Sequence, residues 1–283
     1  MRAQSMSESD PPALNLAQGR RARIDRALQM VVPMIVLLAA LLAWEAIVRI
    51  NQIPHYIIPA PSLVAQTLIK EWHSLAPSLW FTLELTFAAL ALATLGGVLL
   101  AIVLSMSRWA ELAFLPFAVI LQVTPIVAIA PLIMIYVDST FGALLICAWI
   151  VAFFPILSNT IIGLRSADHN LRDLFQLYRA SPLQRMRWLL IPSSLPYFLG
   201  GLKIAGGLAL IGAVVAEFVA GAAGKNTGLA SRVLEASFRT EIPRMFAALV
   251  LICLCGVLIY LLFNGLSRLL LGRWHESELK GDR

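Results

Sequence analysis

Long uncharged stretches separated by short polar breaks set the pattern of this chain. Between Glu111 and Arg165 the single charged residue is Asp138, with 26 uncharged residues on either side, 112–137 and 139–164. A helix of about 20 apolar residues crosses the hydrocarbon of a bilayer, so this pattern predicts a membrane hairpin. The same criterion along the whole chain predicts six spans, at 27–50, 79–106, 112–136, 139–164, 197–220 and 246–271. Polar tails, 1–26 and 273–283, flank the membrane region 27–272. Residues 51–78 hold a short helical pattern, 63–72, behind Pro59-Ala60-Pro61-Ser62. Residues 107–111 read as a tight turn and 221–245 as a small polar loop.

The connection 165–196 is different, being basic, polar and 32 residues long. Leu171, Leu174, Phe175 and Tyr178 recur at i, i+3, i+4 and i+7, one face of a helix, with Asp168 or Asn170 as its cap. Ser181-Pro182-Leu183-Gln184 then reads as a capping box with proline at the first helical position. That second helix is predicted to end near Leu190, before Pro192. Connections usually take about 4–6 residues. Two capped helices with an apolar face therefore point to a docking element rather than a plain connecting loop, since such a face needs a partner to cover it.

Composition agrees with the spans. The chain is 59% hydrophobic and 13% charged, against about 25% charged in soluble domains, and its mean hydropathy is +0.82. That argues against a soluble globule. A net charge of +6 would in a soluble protein raise nucleic-acid binding; here it reads as loop charge that orients a membrane protein. Six spans put both termini on one side. That side carries 15 Lys and Arg residues and the other 6, with Lys203 inside span five, so both termini and 165–196 are predicted to be cytoplasmic. No cleavable signal peptide, internal repeat or C-x-x-C is seen. Cys147, Cys253 and Cys255 lie in apolar runs and read as buried free thiols, with no metal site. Nor is there a P-loop. The string from Gly221 to Asn226 lacks the glycine spacing and the Ser or Thr after its lysine.

Within 165–196 and around it, the chain resembles the permease subunits of binding-protein-dependent ABC importers. Their EAA loop has the pattern E-A-A-x3-G-x9-I-x-L-P. Aligned on Pro192, it reads here Asp173, Leu174 and Phe175, then Arg179 at the family glycine, with Ala180 and Ser181 in the turn, and Leu189, Ile191 and Pro192 at its end. The strings at 192–196, 200–218, 124–131 and 154–159 are similar to the nitrate/sulfonate/taurine branch, and the likeness covers about 55–270. An L-residue in place of that glycine is strained by about 1–2 kcal/mol if the turn keeps a left-handed conformation; otherwise the turn is remodelled.

The resemblance implies an all-α polytopic fold of six transmembrane helices, type I ABC importer permease-like (MetI-like). It implies a non-catalytic subunit without cofactor of its own, ATP being bound by two copies of a partner ATP-binding subunit. A second permease copy, an extracytoplasmic substrate-binding protein and the lipid bilayer complete the implied partners, with no nucleic acid, in a bacterial plasma (inner) membrane. The implied cargo is a sulfonate-, taurine- or nitrate-like anion, or alternatively a thiamine-precursor pyrimidine or riboflavin. A channel or secondary transporter needs no docking loop and often shows internal repeats. A membrane hydrolase needs a catalytic constellation, and the spans hold no H-E-x-x-H, G-x-S-x-G or paired carboxylates.

Polar residues inside spans are candidates for the path. Gln122 and Thr124 stand at the proline break of span three, Asn159 lies in span four, and Lys203 and Glu217 in span five. The plain alternatives are snorkelling for Lys203 and interfacial placement for Glu217; Glu45 and Glu84 read as interfacial. The small residues of span five suit either close helix packing or a pathway and homodimer seam.

Overall fold

A computed structural model describes residues 12–221 and 227–272, with side chains from Val31 onward. Tail residues 1–11 and 273–283, and most of the lysine-bearing string after Gly221, lie outside the described residues. All regular elements among those described are helical: α1 (Pro12–Ile50), α2 (Pro61–Lys70), α3 (Trp72–Met106), α4 (Arg108–Val123), α5 (Ile126–Tyr136), α6 (Thr140–Arg165), α7 (His169–Leu177), α8 (Pro182–Arg185), a π-helical turn Met186–Leu190, α9 (Ile191–Ala220), α10 (Leu229–Phe238) and α11 (Ile242–Leu271).

The chain divides into two compact units, 1–63 and 64–283. In the first, α1 starts well inside the predicted tail. Residues 12–26 are rich in Ala, Leu and Arg, good helix formers, and nothing between Arg26 and Ala27 breaks the helix. Its apolar part, Val31–Ile50, is long enough to span a bilayer. Met34 and Leu42 there are more than half exposed, the surface a lipid-facing helix presents. At its end Glu45 accepts hydrogen bonds from the Ser62 amide at 3.0 Å and its hydroxyl at 2.7 Å.

The second unit is organised around α6, which packs against α9 and α3. Small residues allow the approach: a Cβ on Gly201 of α9 would lie 2.8 Å from both Asn159 Cβ and the Pro155 carbonyl oxygen, and one on Gly212 3.0 Å from Ala148 Cα. Part of the small-residue stripe is thus packing surface. Gly200 and Gly207 face open space, so they take no part in it.

Span three is not one straight helix. Its two halves, α4 and α5, meet at 99°. Pro125 has no N–H to continue the ladder and drives Thr124 out of the helical region, to φ −66° and ψ 124°. The pair still traverses the layer. Glu111, at the start of α4, pairs with Arg165 at the end of α6, whereas Ile126, Ala130 and Ile133 of α5 pack with Leu144, Cys147 and Ala148 near the start of α6. One end of the pair thus lies level with the end of α6 and the other with its beginning. That makes a bent crossing and rules against a re-entrant loop.

Two further expectations are corrected. The polar region 221–245 contains helix α10, which clusters through Leu229 and Val233 with α2, the first turns of α3 and the start of α11. And the helix capped by Ser181 does not stop before Pro192. It runs unbroken from Pro182 to Ala220, 39 residues. The π turn explains how: the Ile191 amide donates to the Met186 carbonyl, five residues back, so the ladder shifts register just where the proline has no N–H to give.

Candidate functional site

The elbow between α7 and α8 is built by local capping. Asp168 accepts from the amides of Asn170, at 2.7 Å, and Leu171, at 3.3 Å, which starts α7. The helix ends in a Schellman motif: the Ala180 amide reaches the Phe175 carbonyl and the Arg179 amide the Gln176 carbonyl, both at 2.9 Å. That motif wants a left-handed residue, and Arg179 takes the position with φ 49°. The turn expected of glycine is therefore kept, with an L-residue strained into it. Ser181 then opens α8 through the full capping box, its amide donating to Gln184 Oε1 at 2.8 Å and its hydroxyl accepting from the Gln184 amide at 3.3 Å.

Between the two helices lies a groove of about 380 Å³ lined by Leu174, Phe175, Tyr178, Ala180, Gln184 and Trp188. Leu177, Tyr178, Leu183 and Trp188 each expose 65% or more of their surface. Asp173 is exposed beside it, as are Ile191 and Pro192, whereas Leu189 is buried. This is a large amount of uncovered apolar surface for a polar loop. The elbow is also fastened to the membrane helices. From α7, Arg172 donates to the Leu164 carbonyl at 3.3 Å and the Arg165 carbonyl at 2.7 Å, the orphan acceptors at the end of α6. Ser166 reaches the Ser193 carbonyl of α9 at 3.3 Å.

The span candidates do not form one cluster. Gln122 is exposed at the end of α4. The Thr124 hydroxyl folds back on the Ile120 carbonyl at 2.7 Å. Asn159 donates to the Pro155 carbonyl at 2.8 Å and lies against Gly201. Lys203, half-buried, donates to Asn264 Oδ1 of α11 at 3.0 Å, a partner that reading the sequence did not single out. Glu217 is 1% exposed. Its carboxylate accepts from the Thr82 hydroxyl at 2.8 Å and the Ala230 amide at 2.9 Å, turned into the packing of α9 against α3 and α10. Among the described residues no group of His, Cys, Asp and Glu is arranged to hold a metal ion.

Residues 93–275 match the model of the family described as binding-protein-dependent transport system inner membrane component. The chain is 33% identical to a riboflavin transport system permease protein of Chloroflexus aurantiacus, over 86% of this chain and 90% of that one. It is 31% identical to a formylaminopyrimidine transport permease protein of Halalkalibacterium halodurans, over 89% and 99% respectively. Among solved structures, one titled as an amino acid ABC transporter with histidines superposes with a TM-score of 0.59 over 74% of this chain and 97% of that one, at 18% identity, a likeness of fold.

Proposed function

We infer the working arrangement from one premise: this chain belongs to the binding-protein-dependent transport system inner membrane component family and is a non-catalytic permease subunit of an ABC importer. As a multi-pass membrane subunit of that family it works with an ATP-binding subunit and a substrate-binding protein. The observation that carries the detailed reading is the elbow, an exposed apolar groove between two capped helices that is anchored to α6 and α9.

In this reading the elbow seats in the ATP-binding subunit through Leu174, Phe175, Tyr178 and Trp188, with Asp173 and Arg179 at its margin. Ala180, Ser181, Leu189, Ile191 and Pro192 hold the turn and the helix behind it in place. Two copies of the permease face each other, with one ATP-binding subunit on each elbow. The termini and the elbow lie in the cytoplasm of a bacterial cell, as the lysine and arginine asymmetry supports, and the substrate-loaded binding protein docks on the opposite side. Gln122 and Thr124 at the bend, with Asn159 and Lys203 deeper in, border the path.

For the cargo, the names of two relatives, 33% and 31% identical over most of the chain, favour a nitrogen heterocycle of the riboflavin or pyrimidine class. An anion of the sulfonate or nitrate kind is the second reading, favoured by Lys203, a cation within span five that is bonded to the neutral amide of Asn264.

The test uses the permease reconstituted with its ATP-binding subunit and binding protein. Asp173→Lys and Phe175→Ala should abolish transport while hydrolysis continues, or prevent the ATP-binding subunit from assembling, with membrane insertion intact. Unchanged transport in both variants would overturn the elbow reading. A thermal-shift screen of the binding protein with riboflavin, formylaminopyrimidine, taurine and nitrate identifies the cargo class.

A further inference from the structure

Glu217 sits at the far end of the same unbroken helix that begins at the elbow. Ser181 caps one end of Pro182–Ala220, and Glu217 lies in its last turn. At about 1.5 Å per residue the helix is some 58 Å long, so a single rod joins the groove at one face of the membrane to α10 at the other. The rod grips α10 by its start. Glu217 accepts the Ala230 amide at 2.9 Å, and Thr82 of α3 donates to the same carboxylate at 2.8 Å while accepting the Leu229 amide at 2.9 Å. The first free N–H groups of α10 are thus held by a carboxyl and a hydroxyl from two spans. Gly228 has no room for a Cβ, because that atom would meet the Glu217 carboxylate. Arg232 adds a bond from α10 to Ser78 of α3 at 2.9 Å. At the other end of α10, Phe238 is 78% exposed.

We propose that Glu217 is a positioning residue that latches α10 to the rod, so that load placed on α10 by a docked binding protein is carried along α9 to the ATPase elbow. This rests on the transport reading above. The latch contributes no ligand contact; it makes α10 and the elbow move as one body. An unlatched α10 would still fold against its apolar cluster with Leu75, Ala247 and Leu251, but would yield under load before the rod did.

The experiment measures ATP hydrolysis by the complete reconstituted complex, with and without loaded binding protein. In the wild type the binding protein should raise the rate; no stimulation there would overturn the transport reading and the latch with it. Glu217→Gln, Thr82→Val and Gly228→Ala should each keep the basal rate and lower the stimulation about tenfold, by weakening or displacing the hydrogen bonds of the latch. Thr82→Ser, which retains the hydroxyl, should keep stimulation near the wild-type level. Stimulation unchanged in Glu217→Gln and Thr82→Val would overturn the latch while leaving the transport reading intact. Parallel loss of basal and stimulated rates, or failure of these variants to assemble, would also overturn it, by reducing the network to a structural role.

Discussion

Replacing Arg179 with glycine should stabilise the elbow, and the size of the effect follows from its geometry. Arg179 holds φ 49°, where Cβ crowds the backbone and an L-residue costs about 1–2 kcal/mol. Glycine removes that strain, but its unfolded chain is freer by about 0.5–1 kcal/mol. The difference leaves roughly 0.5–1 kcal/mol in favour of the variant. Local opening reports it most directly. The Ala180 amide closes the Schellman motif on the Phe175 carbonyl at 2.9 Å, and its hydrogen exchange should slow about 2–5-fold at a tenfold change per 1.4 kcal/mol. Arg179→Ala is the control, because it deletes the guanidinium and keeps the strained φ. Exchange faster in Arg179→Gly than in the wild type would refute the strain argument. Equal slowing in Arg179→Ala and Arg179→Gly would refute it too, by assigning the effect to charge.

Gly201→Ala should destabilise the α6–α9 contact by about 1–3 kcal/mol through overpacking, since the new Cβ meets backbone and Asn159 at 2.8 Å; Gly200→Ala, with open space around it, should be neutral or better, and thermal unfolding of the detergent-solubilised protein compares the two. Arg172→Met should loosen α7 from the end of α6 by about 0.5–1.5 kcal/mol, the net worth of a hydrogen bond whose acceptor water can reach, seen as faster proteolysis of the elbow with membrane insertion unchanged. On α10 the Glu235 carboxyl is held below its ordinary value, first by the Arg232 hydrogen bond and then by the charges of Arg232, Arg244 and Arg239. A lowered folded-state value means that its contribution is complete above the unfolded carboxylate range and is lost as pH falls through the folded one. The protection of the α10 amides, taken relative to their intrinsic exchange rates, should therefore fall on acidification below about pH 4, and Glu235→Gln should flatten that dependence; an unchanged profile in the variant would refute the assignment.

Sequence by itself determined the number of crossings, the position of the elbow and its capping chemistry, because these are local. A run of apolar residues counts its own length, and Asp168, Ser181 and Gln184 bond to amides two or three residues away. At Arg179 the sequence left two outcomes open, a strained left-handed turn or a remodelled one, and the structure shows the first. Tertiary structure alone decided what depends on residues distant in the chain. Pro192 reads locally as a stop, yet the π turn carries the helix through it. The spacing of Glu217 says nothing of Thr82, 135 residues earlier, or of the α10 amides it caps, and Lys203 finds Asn264 only when α9 lies against α11. The reason is physical: caps and spans are set by the backbone within a turn or two, whereas a buried polar group takes whichever partner the packing of helices brings within about 3 Å.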